Sequence, residues 1–207
     1  IGGYDGTIVR LDHNGNEIAR SFSWRACSGG LSLGDTDNDG VFEVYQGDRD
    51  MGYRDGGYGK GVKSFWADNL TERWVRLDFL SSSQAPVLAD VNGDGIFDVL
   101  AGMYREMNIL NSTNGEWINR ISNNTLSVHY GFTVFDIDGD GRLEILCSDG
   151  DNDNDRYADV FDLVTGNRDA QLSLLDGDWK WSPVVADIDP THPGMEIIVC
   201  PKGTTLE

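Results

Sequence analysis

The 207 residues carry 35 acidic side chains against 16 basic ones, a formal charge of −19. A surface this acidic repels phosphate backbones and anionic lipid headgroups, which argues against nucleic acid and acidic membranes as partners. No apolar run reaches the roughly 18 residues that a membrane span needs.

Taken in chain order, the segments read as short strands separated by turns, with no sustained helical period. The opening IGGYDGTIVRLDHNGNEIARSF, within residues 1–24, reads as the end of one strand followed by a hairpin. Approximately residues 30–77 hold four strands, GGLSLGD, VFEVYQG, KGVKSFWAD and ERWVRLD. The series recurs over 85–121 as APVLAD, FDVLAGM, EMNILN and EWINRI. It recurs again over approximately 131–174 as YGFTVFD, RLEILCS, RYADVFDL and RDAQLSLL. The segment over approximately 183–207 supplies SPVVAD, from Ser182, and MEIIVC, the first two strands of a further unit. The pairs Asn14-Gly15, Asn114-Gly115 and Gly166-Asn167 fall where the third and fourth strands of a unit turn back.

Between the first and second strands of three units lies a run of the form D-x-[DN]-x-D-G-x-x-[DE]. The copies are DTDNDGVFE from Asp35, DVNGDGIFD from Asp90 and DIDGDGRLE from Asp136. Oxygen-bearing side chains at positions 1, 3 and 5, with glycine at 6 for a sharp turn, suit a hard cation such as calcium. An EF-hand would place a glutamate at position 12 and continue as a helix. Position 12 here is Gln46, Ala101 or Cys147, and the last acid sits instead at position 9, so these are loops between strands. A fourth copy, DIDPTHPGME from Asp187, is one residue longer and lacks the acid at position 5. Its Asp187, Asp189 and Glu196 are candidates for a weak site only.

Successive copies start 55, 46 and 51 residues apart. A period near 50 with four strands per unit is that of a propeller blade. The expected fold is all-β, a single propeller domain of four-stranded antiparallel blades, A to D, with calcium loops between strands A and B. Both ends fall inside a blade, so a fragment of a larger propeller is expected. The alternative is that the two half-blades join to close a small ring.

The three loops, with their preceding strands SLGD, VLAD and TVFD and the glycine of DVLAG, resemble the FG-GAP and VCBS families of calcium-binding propellers, whose best-known member is the integrin α-subunit head. The resemblance implies about three calcium ions. It implies ligation by the side chains at positions 1, 3, 5 and 9 and by the backbone carbonyl at 7. These are Asp35, Asp37, Asp39, Glu43 and the Val41 carbonyl in the first loop. In the second they are Asp90, Asn92, Asp94, Asp98 and the Ile96 carbonyl. In the third they are Asp136, Asp138, Asp140, Glu144 and the Arg142 carbonyl. The fourth loop is also similar to a segment of propeller-type rhamnogalacturonan lyases. The opening hairpin is similar to a quinoprotein-type repeat, although any C–D hairpin needs such a turn.

Three sequons occur, at Asn69, Asn111 and Asn123. The first two fall in expected C–D turns and the third in a D–A connection, positions open to glycosylation. Cys147 and Cys200 lie on corresponding B strands, where a buried thiol is expected, and Cys27 lies apart. The absence of a CxxC argues against zinc.

Loops that exceed what strand joining requires tend to carry function. The B–C segments 48–61 and 148–156 are long and should lie at the end away from the calcium loops. Tyr53 and Tyr58, with Trp179 and Trp181 from a D–A connection, are the candidate ligand contacts there. Trp24, His129 and Tyr130 fall at the same end. The expected function is a calcium-stabilised binding or adhesion module, extracellular or at the cell surface, for a glycan or protein ligand. The alternative is the propeller of a polysaccharide lyase, for which His129, Lys180 and Lys60 are the few available bases. No catalytic constellation stands out.

Overall fold

The computed structural model describes residues 7–22, 30–47, 60–80, 84–149, 157–173 and 182–199. All fourteen elements among the described residues are β-strands. The chain divides into two units. One comprises Ile1–Met103 with Asn108–Ile118, the other Tyr104–Met107 with Asn119–Glu207.

The first unit opens with the hairpin β1 (Thr7–Leu11) and β2 (Glu17–Phe22), paired antiparallel from Thr7↔Phe22 to Leu11↔Glu17. A four-stranded antiparallel sheet follows in simple up-and-down order, β3 (Leu31–Gly34), β4 (Glu43–Gly47), β5 (Lys60–Trp66) and β6 (Glu72–Leu80). This is a complete propeller blade. Its B strand, β4, is buried along its whole length, as a strand covered on both faces must be. One face of the blade meets the hairpin through Ile8, Val44, Phe65 and Leu70. The other packs Tyr45, Val62 and Phe79 against Val99, Ala101 and Leu110 of the next blade.

That next blade begins with β7 (Val87–Ala89), paired with the start of β8 (Asp98–Leu110). The sequence divides β8 into two strands, 97–103 and 106–111, whereas the structure forms one strand run of 13 residues. Within the run Arg105 takes φ 62°, in the left-handed region that ends a straight strand. Val99 and Leu110 share one core although a straight strand would set them roughly 36 Å apart. The chain therefore doubles back at Arg105, and β8 supplies both middle strands of the blade.

In the second unit β9, β10 (Glu144–Asp149), β11 (Tyr157–Asp162) and β12 (Arg168–Ser173) pair in order. β9 runs from Trp117 to Phe135, where the sequence predicts a D strand, a connection and then an A strand. The connection is itself drawn into the sheet, because Leu126 and Ser127 pair with Asp149 and Ser148 beyond the blade's normal end. Asn123, expected in a loop, consequently lies within a strand. β13 (Val184–Ala186) and β14 (Glu196–Ile198) form a final hairpin. It packs Val185, Ile197 and Val199 on Leu146, Ala158 and Val160.

The C–D turns sit at the expected positions. There Gly15, Gly115 and Gly166 take φ of 84°, 73° and 72° and close onto the Asp12, Asn111 and Asp162 carbonyls, and an acid or amide side chain holds each turn as well. Asp12 Oδ1 accepts from the N–H groups of Asn14 and Asn16, each at 2.8 Å. Asn111 Oδ1 accepts from Thr113 and Asn114, and Asp162 Oδ1 from Val164 and Thr165. Such side chains satisfy backbone donors that the turn leaves unpaired.

Candidate metal centre

Each acidic loop joins an A strand to a B strand, and its folding follows from the spacing of its acids. The position 1 carboxylate gathers the loop around itself. Asp35 accepts from the N–H groups of Asp39 and Gly40, both at 3.1 Å. Asp90 accepts from Gly93, Asp94 and Gly95, and Asp136 from Gly139 and Gly141. The position 5 acid accepts from the N–H at position 7 in each of the three intact loops, Asp39 from Val41, Asp94 from Ile96 and Asp140 from Arg142, at 2.7–2.9 Å. Position 6 requires glycine, since Gly40, Gly95 and Gly141 have φ of 87°, 86° and 90°.

The position 9 acid begins the B strand and is buried, with Glu43 and Asp98 at 0 % exposure and Glu144 at 3 %. In all three loops one of its oxygens accepts from the N–H at position 2. The donors are Thr36 at 3.0 Å, Val91 at 3.1 Å and Ile137 at 2.8 Å. The other oxygen has no such partner in two of the loops. Asp98 Oδ1 and Glu43 Oε1 are buried without a hydrogen bond, as is Asp37 Oδ1. Glu43 Oε1 does have the Arg73 guanidinium 3.8 Å away. Leaving a charged oxygen bare in the interior costs several kcal/mol, roughly. Burial, followed by the charges of Asp94 and Asp90, pushes the Asp98 carboxyl up to about 6. Burial, followed by Asp138, Asp136 and Asp140, pushes Glu144 up as well. Bare buried carboxylate oxygens beside further acids, as at Asp98 and Asp37, are what a divalent cation would complete, and the donor set is the hard oxygen type that calcium takes.

The ligating atoms of Asp35, Asp37 and Asp39 lie within 4.8 Å of one another, as do those of Asp136, Asp138 and Glu144. These clusters could hold a metal ion. The second loop gathers Asp90, Asp94 and Asp98 around the same hydrogen-bond frame, with Asn92 Oδ1 turned onto the Asp94 N–H at 2.9 Å. In the altered fourth loop Glu196 keeps the anchoring role, accepting from Ile188 at 2.8 Å. Asp189 is instead engaged by the Thr191 hydroxyl and N–H and by His192 Nδ1, which hold its carboxyl below the usual range. Asp187 completes the candidate set of this loop and is exposed.

The C–D turns lie beside these loops. The Ala67 N–H bonds the Phe42 carbonyl and the Leu163 N–H bonds the Leu143 carbonyl, at 2.9 and 3.0 Å. Asn69 is exposed in such a turn, with Oδ1 bound by the N–H and hydroxyl of its sequon partner Thr71. Asn111 is half-buried. Tyr53, Tyr58, Trp179, Trp181, Trp24, Lys180, Cys27 and Cys200 lie outside the described residues, as do the side chains of Lys60, His129 and Tyr130. Cys147 is a buried thiol directed at the Asp159 carbonyl, 3.8 Å away. No helix among the described residues is long and apolar enough to cross a membrane.

Two groupings escape a reading of the sequence. Asp162 and Asp169, from the C–D hairpin, approach Glu144 within the same 4.8 Å limit. In the first blade, Thr36, Tyr45 and Arg73 enclose Glu43. The approach of Arg73, Asp162 and Asp169 does not follow from loop spacing, because they come from strands whose register the loop does not set.

Residues 90–147, which span the second and third loops, match the family model described as an FG-GAP-like repeat. No curated protein matches the chain. Among solved structures it is similar to BamB from Moraxella catarrhalis, at 14 % identity and TM-score 0.55 over 90 % of this chain and 48 % of that one. It is similar to the exotype rhamnogalacturonan lyase YesX, at 15 % identity and TM-score 0.56 over 92 % and 40 % of the two chains. A Bacillus licheniformis rhamnogalacturonan lyase gives 17 % identity and TM-score 0.54 over 82 % and 39 %. The chain spans less than half the length of each of these structures. The chain thus has the β-propeller fold, and its residues 90–147 match an FG-GAP-like repeat.

Proposed function

We propose that the chain is a calcium-stabilised propeller module that binds a glycan or a protein ligand outside the cell. The observation that carries the metal reading is Asp98. Its carboxylate is buried, one oxygen is used by the Val91 N–H, and the other is bare. Calcium bound by Asp90, Asn92, Asp94, Asp98 and the Ile96 carbonyl would satisfy it. The corresponding residues of the first and third loops would hold two more ions. The ion's chemistry here is charge neutralisation: acids that repel one another are drawn onto a common centre. Millimolar calcium outside cells suits loops of this open, partly exposed kind, and glycans on Asn69 and Asn111 would be compatible with their turns.

Ligand binding is assigned to the long B–C segments and to Trp179 and Trp181, because excess loop length bearing aromatic side chains suits sugar stacking or protein contact. Screening glycan and cell-surface protein arrays in calcium, with the parent and a Tyr53→Ala/Tyr58→Ala double variant, tests this. A ligand whose signal falls at least about tenfold in the double variant is expected, the loss of a binding hot spot. A ligand that survives the double change but is lost on altering the Asn69 and Asn111 turns would place binding at the calcium end. Likeness to two rhamnogalacturonan lyases supports a second reading, the propeller of a carbohydrate-active enzyme. Depolymerisation of rhamnogalacturonan by the purified protein would decide for it.

A further inference from the structure

Loop 1 differs from its two siblings in what stands behind its position 9 acid. At position 2 the loops carry Thr36, Val91 and Ile137, and ten residues after position 1 they carry Tyr45, Leu100 and Leu146. Only the first blade is polar at both places. There the Thr36 hydroxyl donates to Glu43 Oε2 at 2.8 Å, and Thr36 Oγ1 lies 2.8 Å from the Tyr45 hydroxyl. That hydroxyl reaches the Ser112 carbonyl in the C–D turn of the next blade at 3.3 Å. Arg73 donates to the same hydroxyl at 3.3 Å and approaches Glu43 Oε1, and its guanidinium lies over the Trp66 ring, 4.2 Å from the centroid. Trp74 Nε1 donates to the Ser112 carbonyl as well, at 2.7 Å. Thr36, Glu43 and Tyr45 are buried at 0–1 % exposure.

We infer that loop 1 is a calcium-dependent clamp between the first and second blades, transmitted from Glu43 through Thr36 and Tyr45 to the turn at Ser112. The inference rests on reading loop 1 as a calcium site. An ion at Asp35, Asp37 and Asp39 fixes the Glu43 carboxylate. The fixed carboxylate holds the Thr36 hydroxyl as its donor, so Thr36 Oγ1 remains an acceptor for Tyr45. Tyr45 has one proton to share between Thr36 and the Ser112 carbonyl, so its orientation, and with it the seat of the turn, follows the loop. Loops 2 and 3 carry Leu100 and Leu146 at this position, both buried hydrocarbon. Their ions act within their own blades. The path from Glu43 Oε2 to the Ser112 carbonyl is buried and continuous, and hydrogen bonds in such a low-dielectric setting reinforce one another.

The test is amide hydrogen exchange of residues 113–116, read with and without calcium, with metal content measured on the same samples. In the parent, calcium should slow exchange there about tenfold, within the usual range of coupling between linked sites. Thr36→Val, which installs the apolar type found in the sibling loops, and Tyr45→Phe should keep the parent's calcium content and lose most of that slowing. Asp39→Ala should lose one ion and the slowing together, while the calcium response of the 162–167 turn stays as in the parent. Full slowing in both Thr36→Val and Tyr45→Phe, with calcium bound, would overturn the clamp and leave the loop reading intact. Slowing that persists in Asp39→Ala after the loss of one ion would overturn it too. A parent that retains no calcium would overturn both.

Discussion

Transfer from calcium to excess chelator is expected to lower the melting temperature by roughly 15–30 °C. An ion that binds only the folded chain stabilises it by about 2.7 kcal/mol when present at a hundredfold excess over its dissociation constant. Three such sites give roughly 8 kcal/mol, and a chain of this size shifts by about 2–4 °C per kcal/mol. The magnitude is large because the empty loops are themselves unfavourable. Asp98 and Glu43 each keep a buried oxygen without a hydrogen-bond donor, and further acids crowd the same loops. Differential scanning calorimetry at fixed ionic strength, in calcium and in chelator, reads the difference. Magnesium serves as the control, since it demands a tighter octahedral shell.

Asp94→Ala is expected to remove about 3 kcal/mol of the calcium-dependent stability, one site's worth, whereas Asp153→Ala should change stability by less than about 0.5 kcal/mol. Asp94 holds position 5 of the second loop, where its Oδ1 fixes the Ile96 N–H and its charge bears on Asp98. Its loss takes a ligand and a backbone anchor together, and no neighbouring acid stands at that position. Asp153 belongs to a run of alternating aspartates that carries Arg156, and not glycine, at position 6 counted from Asp151. Thermal melts of both variants across a calcium titration make the comparison. Equal losses would show that acidity alone, and not loop position, sets the response.

The metal loops were legible because each role is fixed by spacing within nine residues. A glycine must take positive φ at position 6, and the acid at 9 must reach back to the N–H at 2. The blades were legible because the loop recurs at 55, 46 and 51 residues with four short strands to a unit. What the sequence left hidden depends on register between strands. The fusion of the predicted strands into β8 and β9 follows from the reversal at Arg105 and from the pairing of Leu126 and Ser127 with β10. The reversal falls on an arginine with no glycine or proline to mark it, and in β9 Gly131, at φ 136°, sits at the break in register without interrupting the strand. The approach of Asp162 and Asp169 to Glu144 is set by the β10–β11–β12 pairing, and that of Tyr45 to Ser112 by packing between blades. The capped C–D turns were half visible. The Asn-Gly signal located them, but the residue that holds each one, Asp12, Asn111 or Asp162, stands several positions earlier.

Metal content tests the central claim most directly. Native mass spectrometry of protein dialysed against calcium should show three bound ions, with two in each of Asp39→Ala, Asp94→Ala and Asp140→Ala. A parent that carries no calcium under these conditions, or variants that all keep the parent's complement, would contradict the assignment of the three loops.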